Sequence, residues 1–244
     1  MQVRGLIFDL GHTLIDLPVD PQGLRPQMLA AALEALRRHG LTIDPAAFTG
    51  ALERWLERRS GQGSEEWIEH PLTGTFALAL AELGFAGLPE AMIREAVRAF
   101  LAPQEACWRT FPDTHETLEA LQARGYRLAL LTNSGDADHS WRLIERFGLR
   151  RYFDPIVISA AVGLRKPHPR LFLDISRRWD LPPAAIAVVG DLPEADLRGA
   201  RLAGMRAIWA VMAHGPRPLP DGLQPDAVIH ALRELLHVLG STRP

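Results

Sequence analysis

The chain has 244 residues, a hydrophobic fraction of 47%, a formal net charge of −2 and a single cysteine, Cys107. This size and composition are typical of a globular protein with one large domain or two modest ones, and one cysteine excludes an intrachain disulfide. The near-neutral charge argues against a nucleic-acid partner, and no apolar run approaches the roughly 20 residues that a membrane span needs. The sequence also lacks the layout of a signal peptide, so we expect a cytoplasmic protein with no membrane partner.

The first half of the chain contains one predicted strand and then a long helical segment. Residues 3–8 form a short apolar run that predicts a buried strand. From about residue 24 to 101, apolar residues recur at helical spacing. Gly40 suits a helix end, and Asp44 with Pro45 suits a helix start. We expect helices alone in this segment.

The second half alternates between strand-like and helix-like runs. Strands are predicted near residues 126–131, 155–159, 186–189 and 206–212, each followed by a helical run. Strands that alternate with helices of about 10 to 15 residues are typical of a parallel sheet covered by helices. Strand 3–8 must join this sheet, because alone its backbone groups would be unpaired. The sequence therefore predicts an α/β fold with an all-helical insertion.

Polar residues stand where three of the predicted strands end. Asp9 follows the first strand, Thr132 and Asn133 follow the next, and Asp191 follows a third. Because the carboxyl ends of parallel strands share one edge of a sheet, we expect these side chains to converge there. Lys166 is the only lysine among 27 cationic residues. It lies in a loop after a further strand, and its compact charge suits a place beside a phosphate or a carboxylate.

These segments resemble the motifs of the haloacid dehalogenase superfamily of hydrolases, in the branch with a helical cap after the first strand. FDLGHTL resembles the first motif and LLTNS the second. GLRKPHPRLF resembles the third and VVGDLPEADLRGARLAGM the fourth. The resemblance covers nearly the whole chain. It implies a Rossmann-like α/β core domain of residues 1–16 and 103–244, and a helical cap domain of residues 17–102.

The resemblance also implies a role in phosphoryl transfer for each matched residue. Asp9 would be the nucleophile that attacks phosphorus and forms an aspartyl phosphate. Thr132 would hydrogen-bond a phosphoryl oxygen, with the Asn133 backbone nearby, and both belong to the implied substrate-binding set. Lys166 would hold the nucleophile and the phosphate in place and offset their repulsion.

A magnesium site is implied in the same way. Asp9, the backbone carbonyl of Gly11, Asp191 and Asp196 would bind Mg²⁺, a hard cation that prefers oxygen ligands and suits phosphoryl transfer. The expected partner is a small-molecule phosphate ester.

Gly11 is the position where the chain departs from the family pattern. Relatives normally carry a second aspartate there, which protonates the leaving oxygen and later activates water. Glycine keeps the carbonyl and lacks the acid, whose loss costs about 10² to 10⁴ in rate. His12 or His115 could replace that acid. A leaving group that departs as a stable anion needs little protonation, so aryl and acyl phosphates are predicted to react better than alkyl phosphates.

Three alternative functions are compatible with these sequence features. The first is a magnesium-dependent phosphatase that hydrolyses a small phosphorylated metabolite through an aspartyl phosphate. The second is a 2-haloacid dehalogenase, which also uses an aspartate nucleophile without the second aspartate but needs no metal. The third is a non-catalytic or near-inactive relative that binds a phosphorylated ligand. The acids of GDLPEAD favour the first, and Gly11 is the sequence feature that keeps the others open.

Overall fold

The computed structural model of the chain describes residues 3–61 and 67–240. The strands in these ranges are β1 (Gly5–Phe8), β2 (Ile15–Asp16), β3 (Arg109–Thr110), β4 (Arg127–Thr132), β5 (Ile156–Ile158), β6 (Ile186–Gly190), β7 (Arg206–Ala210) and β8 (Ala227–Ile229). The helices are α1 (Pro21–Arg38), α2 (Pro45–Gly61), α3 (Leu72–Glu82), α4 (Glu90–Cys107), α5 (Thr114–Ala123), α6 (Ala137–Arg146), α7 (Ser159–Val162), α8 (Pro169–Trp179), α9 (Arg198–Leu202) and α10 (Leu235–Val238). None of the helices in the described ranges is long and apolar enough to cross a membrane.

Six strands form one parallel sheet in the order β5–β4–β1–β6–β7–β8. The first strand of the chain lies in the interior of this sheet, because β1 pairs with β4 on one side and with β6 on the other. Phe8, the last residue of β1, stands opposite Leu130 and Val189. The predicted parallel α/β fold is therefore confirmed, and the residue after β1 emerges at the middle of the carboxyl edge.

Helices cover both faces of the sheet because its strands are apolar on both sides. In β1, Leu6 and Phe8 belong to one hydrophobic cluster, whereas Ile7 belongs to the other. The first cluster also contains residues of α5, α6 and α10, and the second contains residues of α8 and α9. Such unbroken apolar runs are typical of strands buried on both faces of a parallel sheet.

The helices α1 to α4 surround a third hydrophobic cluster of their own. The helix α1 begins at Pro21, ahead of the periodic segment, because Asp20 Oδ1 accepts a hydrogen bond from the Gln22 N–H at 3.0 Å and caps the first turn. At the other end, α4 runs on to Cys107.

A two-stranded antiparallel ribbon joins this helical segment to the sheet. In the ribbon, β2 leads out of the sheet region and β3 leads back, with Ile15 opposite Thr110. The sequence did not predict this ribbon, because a strand of two residues is too short to show an alternating pattern.

Candidate active site

The carboxyl ends of β1, β4 and β6 bring Asp9, Thr132 and Asp191 together. Asp9 directly follows β1, Thr132 ends β4, and Asp191 directly follows β6. The three residues come from neighbouring strands, and all three are buried. The topology of the sheet therefore assembles groups that lie between 59 and 182 residues apart in the chain.

Lys166 joins these residues from the loop between α7 and α8. Its ammonium Nζ lies 2.6 Å from Asp9 Oδ1 and 2.6 Å from Asp196 Oδ1. Lys166 is only 4% exposed. A buried charge needs partners, and hydrogen bonds between charged groups of this length are among the stronger ones in proteins. Lys166 thus fixes the position of Asp9 within the site.

The side-chain amide of Asn133 binds the backbone of Lys166, so it is not free to bind a ligand. The Lys166 N–H donates to Asn133 Oδ1 at 2.8 Å, and Asn133 Nδ2 donates to the Lys166 carbonyl oxygen at 3.1 Å. These two residues are the only asparagine and the only lysine of the chain.

Asp196 lies on a wide π-type turn, Pro193–Leu197, which precedes α9. It is 1% exposed, and its second oxygen, Oδ2, accepts a hydrogen bond from the Leu192 N–H at 3.1 Å. A Cβ atom at Gly190 would stand only 2.2 Å from Asp196 Cγ. Glycine at the end of β6 therefore makes room for this carboxylate.

The carboxyl groups of the site have altered pKa values because they are buried together. Burial raises the pKa of Asp191 to about 8, and the nearby charges of Asp9 and Asp196 act in the same direction. Burial also raises the pKa of Asp196 to about 6, although Lys166 opposes this shift. Burial disfavours the charged form of Lys166, but Asp196 and Asp9 outweigh it and raise the pKa of the ammonium. Negative charge is therefore in excess at this edge of the sheet.

The excess negative charge fits a divalent cation. Asp9, Asp191 and Asp196 each offer an oxygen, and these atoms lie within 4.8 Å of one another. Three carboxylates and one ammonium leave two uncompensated negative charges when all are ionised. Carboxylate oxygens are the ligands that Mg²⁺ prefers. Gly11 lines the same cavity, which is consistent with its predicted carbonyl ligand.

Trp108 covers the position where Gly11 lacks a side chain. A Cβ atom built on Gly11 would stand 3.4 Å from Cη2 of the indole, an ordinary van der Waals distance. The indole N–H of Trp108 is buried and has no hydrogen-bond partner among the described residues. An apolar ring therefore flanks the place where relatives are expected to carry an acid.

His12 lies beside this indole, whereas His115 belongs to another network. The ring of His12 stands 5.3 Å from that of Trp108 and 4.3 Å from that of His214. Burial lowers the pKa of His12, and the neighbouring His214 lowers it further. His12 also lines the cavity. By contrast, His115 Nδ1 lies 3.0 Å from the hydroxyl of Tyr152.

A cavity of about 400 Å³ lies between the sheet edge and the helical segment. The site residues Asp9, Thr132, Asn133, Lys166 and Asp191 line one side. Residues of the helical segment line the other side: Arg25, Met28, Leu56, Leu72, Phe100, Leu101 and Gln104. Sequence reasoning did not identify this second wall, because its members are ordinary residues of amphipathic helices with no local motif.

Residues 67–72, which we call the strap, connect the helical segment to both loops of the site. The Arg165 N–H donates to the Trp67 carbonyl oxygen at 2.8 Å, directly before Lys166. The Leu72 N–H donates to the Gly135 carbonyl oxygen at 2.7 Å, two residues after Asn133. The strap therefore supports the loops that carry these two residues.

A buried hydrogen-bond chain adds to this support. The hydroxyl of Ser159 donates to Glu69 Oε2 at 2.8 Å, and the Ser134 N–H donates to the same hydroxyl at 2.8 Å. Glu69 is 4% exposed. The strap thus reaches the loop after β4 through a side chain as well as through its backbone.

Comparisons with known proteins agree with this geometry. The sequence model of the haloacid dehalogenase-like hydrolases matches residues 3–204. The chain is 35% identical to a phosphoserine phosphatase of Thermus thermophilus, over 94% of this chain and 96% of that protein. It is 30% identical to a glyceraldehyde 3-phosphate phosphatase of Methanopyrus kandleri, over 97% of both chains. Among solved structures, a 2-haloacid dehalogenase of Pseudomonas syringae pv. Tomato is similar, with a TM-score of 0.73, 28% identity and coverage of 97% and 98% of the two chains.

Proposed function

Because the chain belongs to the haloacid dehalogenase-like hydrolases, it is a hydrolase, and we propose that it is a magnesium-dependent phosphatase for a small phosphorylated metabolite. The observation that supports this proposal most directly is the buried cluster of Asp9, Asp191, Asp196 and Lys166. It combines a carboxylate nucleophile with an excess of negative charge that a divalent cation would balance. Both similar phosphatases named above act on small phosphate esters.

In the proposed reaction, an Asp9 oxygen attacks phosphorus and the bond between phosphorus and the ester oxygen breaks. The ester oxygen leaves with the bonding electron pair and takes a proton from solvent water to become the alcohol. Water then attacks the aspartyl phosphate, which yields inorganic phosphate, regenerates the Asp9 carboxylate and returns the proton to solvent. Lys166 holds Asp9 at 2.6 Å and offsets the repulsion between this carboxylate and the phosphate. Thr132 lies at the end of the neighbouring strand β4 and offers its hydroxyl to a phosphoryl oxygen.

Asp9, Asp191, Asp196 and the Gly11 carbonyl are the groups that would hold Mg²⁺. When bound, the ion supplies neutralisation of phosphoryl charge, which together with positioning accounts for most of the catalysis in this chemistry. Both oxygens of Asp196 already accept a hydrogen bond, from Lys166 and from the Leu192 N–H. Asp196 would therefore share its oxygens between the ion and these two donors, and it also orients Lys166.

The proposed domain division assigns residues 17–102 to a cap and the rest to the core. The separate hydrophobic cluster of α1 to α4 supports this division, as does the ribbon through which the chain leaves and re-enters the sheet region. A cap over the site would shield the aspartyl phosphate from bulk water and set specificity.

The test is hydrolysis of para-nitrophenyl phosphate by the wild type, Asp9→Asn and Asp221→Asn, with Mg²⁺ or with a chelator. Asp221 is an exposed loop residue and provides the matched control. We expect turnover that requires both Mg²⁺ and Asp9 and that is unchanged in Asp221→Asn. Binding of phosphate esters without turnover would instead identify a non-catalytic relative.

A 2-haloacid dehalogenase is the second candidate, because a structure of that name resembles this chain at 28% identity. It requires the Asp9 nucleophile but no metal. Chloride release from 2-chloropropionate by the wild type in the presence of a chelator would establish this activity. We expect none, since the buried carboxylates of Asp191 and Asp196 would serve no purpose in that reaction.

The absence of a side chain at Gly11 leads to a separate prediction about how the rate depends on the leaving group. Without a positioned acid, the rate should fall steeply from aryl and acyl phosphates to alkyl phosphates. Gly11→Asp should raise turnover of glycerol 3-phosphate by about 10² or more and leave para-nitrophenyl phosphate much less affected. Equal rates across leaving groups in the wild type would contradict this interpretation.

A further inference from the structure

Arg25 is a half-buried cation in the wall of the cavity that the helical segment supplies. It lies on α1, and its guanidinium stands 5.8 Å from the centre of the Phe100 ring. Within residues 3–61 and 67–240, no carboxylate forms an ion pair with it. Other arginines of α1 and α4 pair with glutamates, as Arg38 does with Glu95 and Arg94 with Glu90. Arg98 of α4 has no ion pair within the described residues either, but it does not line the cavity.

The surroundings of Arg25 are mainly apolar. Met28, Leu56, Phe100 and Leu101 line the same wall, and Gln104 is the other polar side chain that α1 and α4 contribute. A guanidinium on an apolar wall loses hydration and gains little in return unless an anion binds it. Its planar fork matches a carboxylate or a phosphoryl group with two parallel hydrogen bonds.

The acids of the cavity do not provide that anion. Asp9 and Asp196 are bound by Lys166, and with Asp191 they form the candidate metal cluster. Asp136 also lines the cavity, but its Oδ1 accepts the His139 N–H and caps α6. Among the described residues of this wall, Arg25 is thus the cation that remains available to a ligand.

We propose that the substrate of this site carries a second anionic group, a carboxylate or a second phosphoryl group, which Arg25 binds while the first phosphoryl group is held at Asp9 and Lys166. The inference rests on the proposed phosphatase function and narrows its substrate class. The carbon skeleton between the two anions would lie against Phe100 and Met28. A cavity of about 400 Å³ restricts the ligand to a small metabolite. Phosphoserine belongs to this class because it carries a carboxylate, whereas glyceraldehyde 3-phosphate does not.

The test measures binding, so that it does not depend on turnover. Calorimetric titration in the presence of Mg²⁺ compares 3-phosphonopropionate with propylphosphonate, which has the same phosphonate and lacks the carboxylate. We expect the wild type to bind 3-phosphonopropionate about tenfold or more tightly. Arg25→Gln should remove this preference and leave the affinity for propylphosphonate unchanged. Propane-1,3-diphosphonate is titrated as well. If it binds more tightly than 3-phosphonopropionate, the second anionic group of the substrate is phosphoryl rather than carboxylate.

Two further variants make the result specific. Arg25→Lys keeps the charge without the fork and should restore part of the preference. Arg94→Gln removes an exposed arginine of α4, and this variant should keep the full preference for 3-phosphonopropionate. The same preference in the wild type and in Arg25→Gln, or no preference in the wild type, would overturn the proposal. Absence of phosphatase turnover would overturn the proposed function alone, since the affinities are measured independently of it.

Discussion

The position of the lysine ammonium in the site depends on a single amide side chain. Asn133 makes one hydrogen bond to the Lys166 N–H and one to the Lys166 carbonyl oxygen, and so fixes the backbone from which the ammonium reaches Asp9. Groups that orient metal ligands without touching substrate commonly account for 10- to 100-fold in activity, and we expect an effect of similar size for the group that orients Lys166 beside Asp9. We therefore regard Asn133 as a positioning residue through its side chain.

Asn133→Ala should lower kcat/KM for para-nitrophenyl phosphate by about 10- to 100-fold, because Lys166 loses its backbone anchor. The free energy of unfolding should fall by about 1 to 3 kcal/mol, since the buried Lys166 N–H and carbonyl oxygen lose their partners. Steady-state kinetics and denaturant unfolding measure the two effects.

Asn133→Gln separates the positioning role from general damage to the fold. It keeps both an acceptor for the Lys166 N–H and a donor to the Lys166 carbonyl oxygen and adds no charge, so it should recover part of the activity. Activity that is unchanged in Asn133→Ala would contradict the positioning role.

At the scale of elements, the sequence predicted those features that local patterns encode. The apolar run before Asp9 and the alternation of later strands and helices were sufficient to predict the parallel sheet. The common edge of parallel strands predicted the convergence of Asp9, Thr132 and Asp191. The strap and the indole over Gly11 were not predictable in this way, because both arise from contacts between distant segments that leave no local pattern.

Close packing between α8 and α9 gives a prediction at this scale. A Cβ atom on Gly199 of α9 would stand 2.4 Å from the buried ring of Phe172 in α8. Gly199→Ala should therefore destabilise the protein by about 1 to 3 kcal/mol, despite the better helix propensity of alanine. Gly74→Ala in α3 is the matched control, because no atom outside its own helix lies within 4 Å of the added Cβ.

The control should be neutral or stabilising by up to about 1 kcal/mol. Thermal unfolding of the two variants beside the wild type provides the measurement. Destabilisation of the same size in both would show that the contact with Phe172 is not the cause.

At the scale of the whole molecule, the site destabilises the metal-free fold near neutral pH. The folded protein raises the pKa of Asp191 to about 8 and that of Asp196 to about 6, whereas an unfolded aspartate titrates near 4. Between these values the folded state binds more protons than the unfolded state. The contribution of these two groups to the free energy of unfolding should then decrease as pH rises from about 4 to about 8. The lowered pKa values of His12, His139 and His214 act in the opposite direction below about pH 6.5, and those of Glu105 and Asp226 do so below about pH 4.5. The net decrease is therefore expected between about pH 6.5 and pH 8.

Magnesium should reverse this loss, because it binds the ionised carboxylates of the folded state and not those of the unfolded chain. The rise in melting temperature on addition of Mg²⁺ should be larger at pH 8 than at pH 5. Melting curves with Mg²⁺ and with a chelator at the two pH values check this. Asp191→Asn should flatten both the pH dependence and the response to Mg²⁺. An equal Mg²⁺ effect at both pH values would contradict the assignment of these aspartates as ligands.

The strap has a consequence for protein engineering. Its backbone groups at Trp67 and Leu72 pair with loop residues one position before Lys166 and two positions after Asn133, so part of the helical segment also supports the loops of the candidate active site. Exchange of residues 17–102 for the corresponding segment of a relative would replace the walls of the cavity and break these pairs in one operation. A functional chimera would have to retain residues 67–72 together with Ser159, whereas α1 and α4 could be exchanged to alter substrate preference.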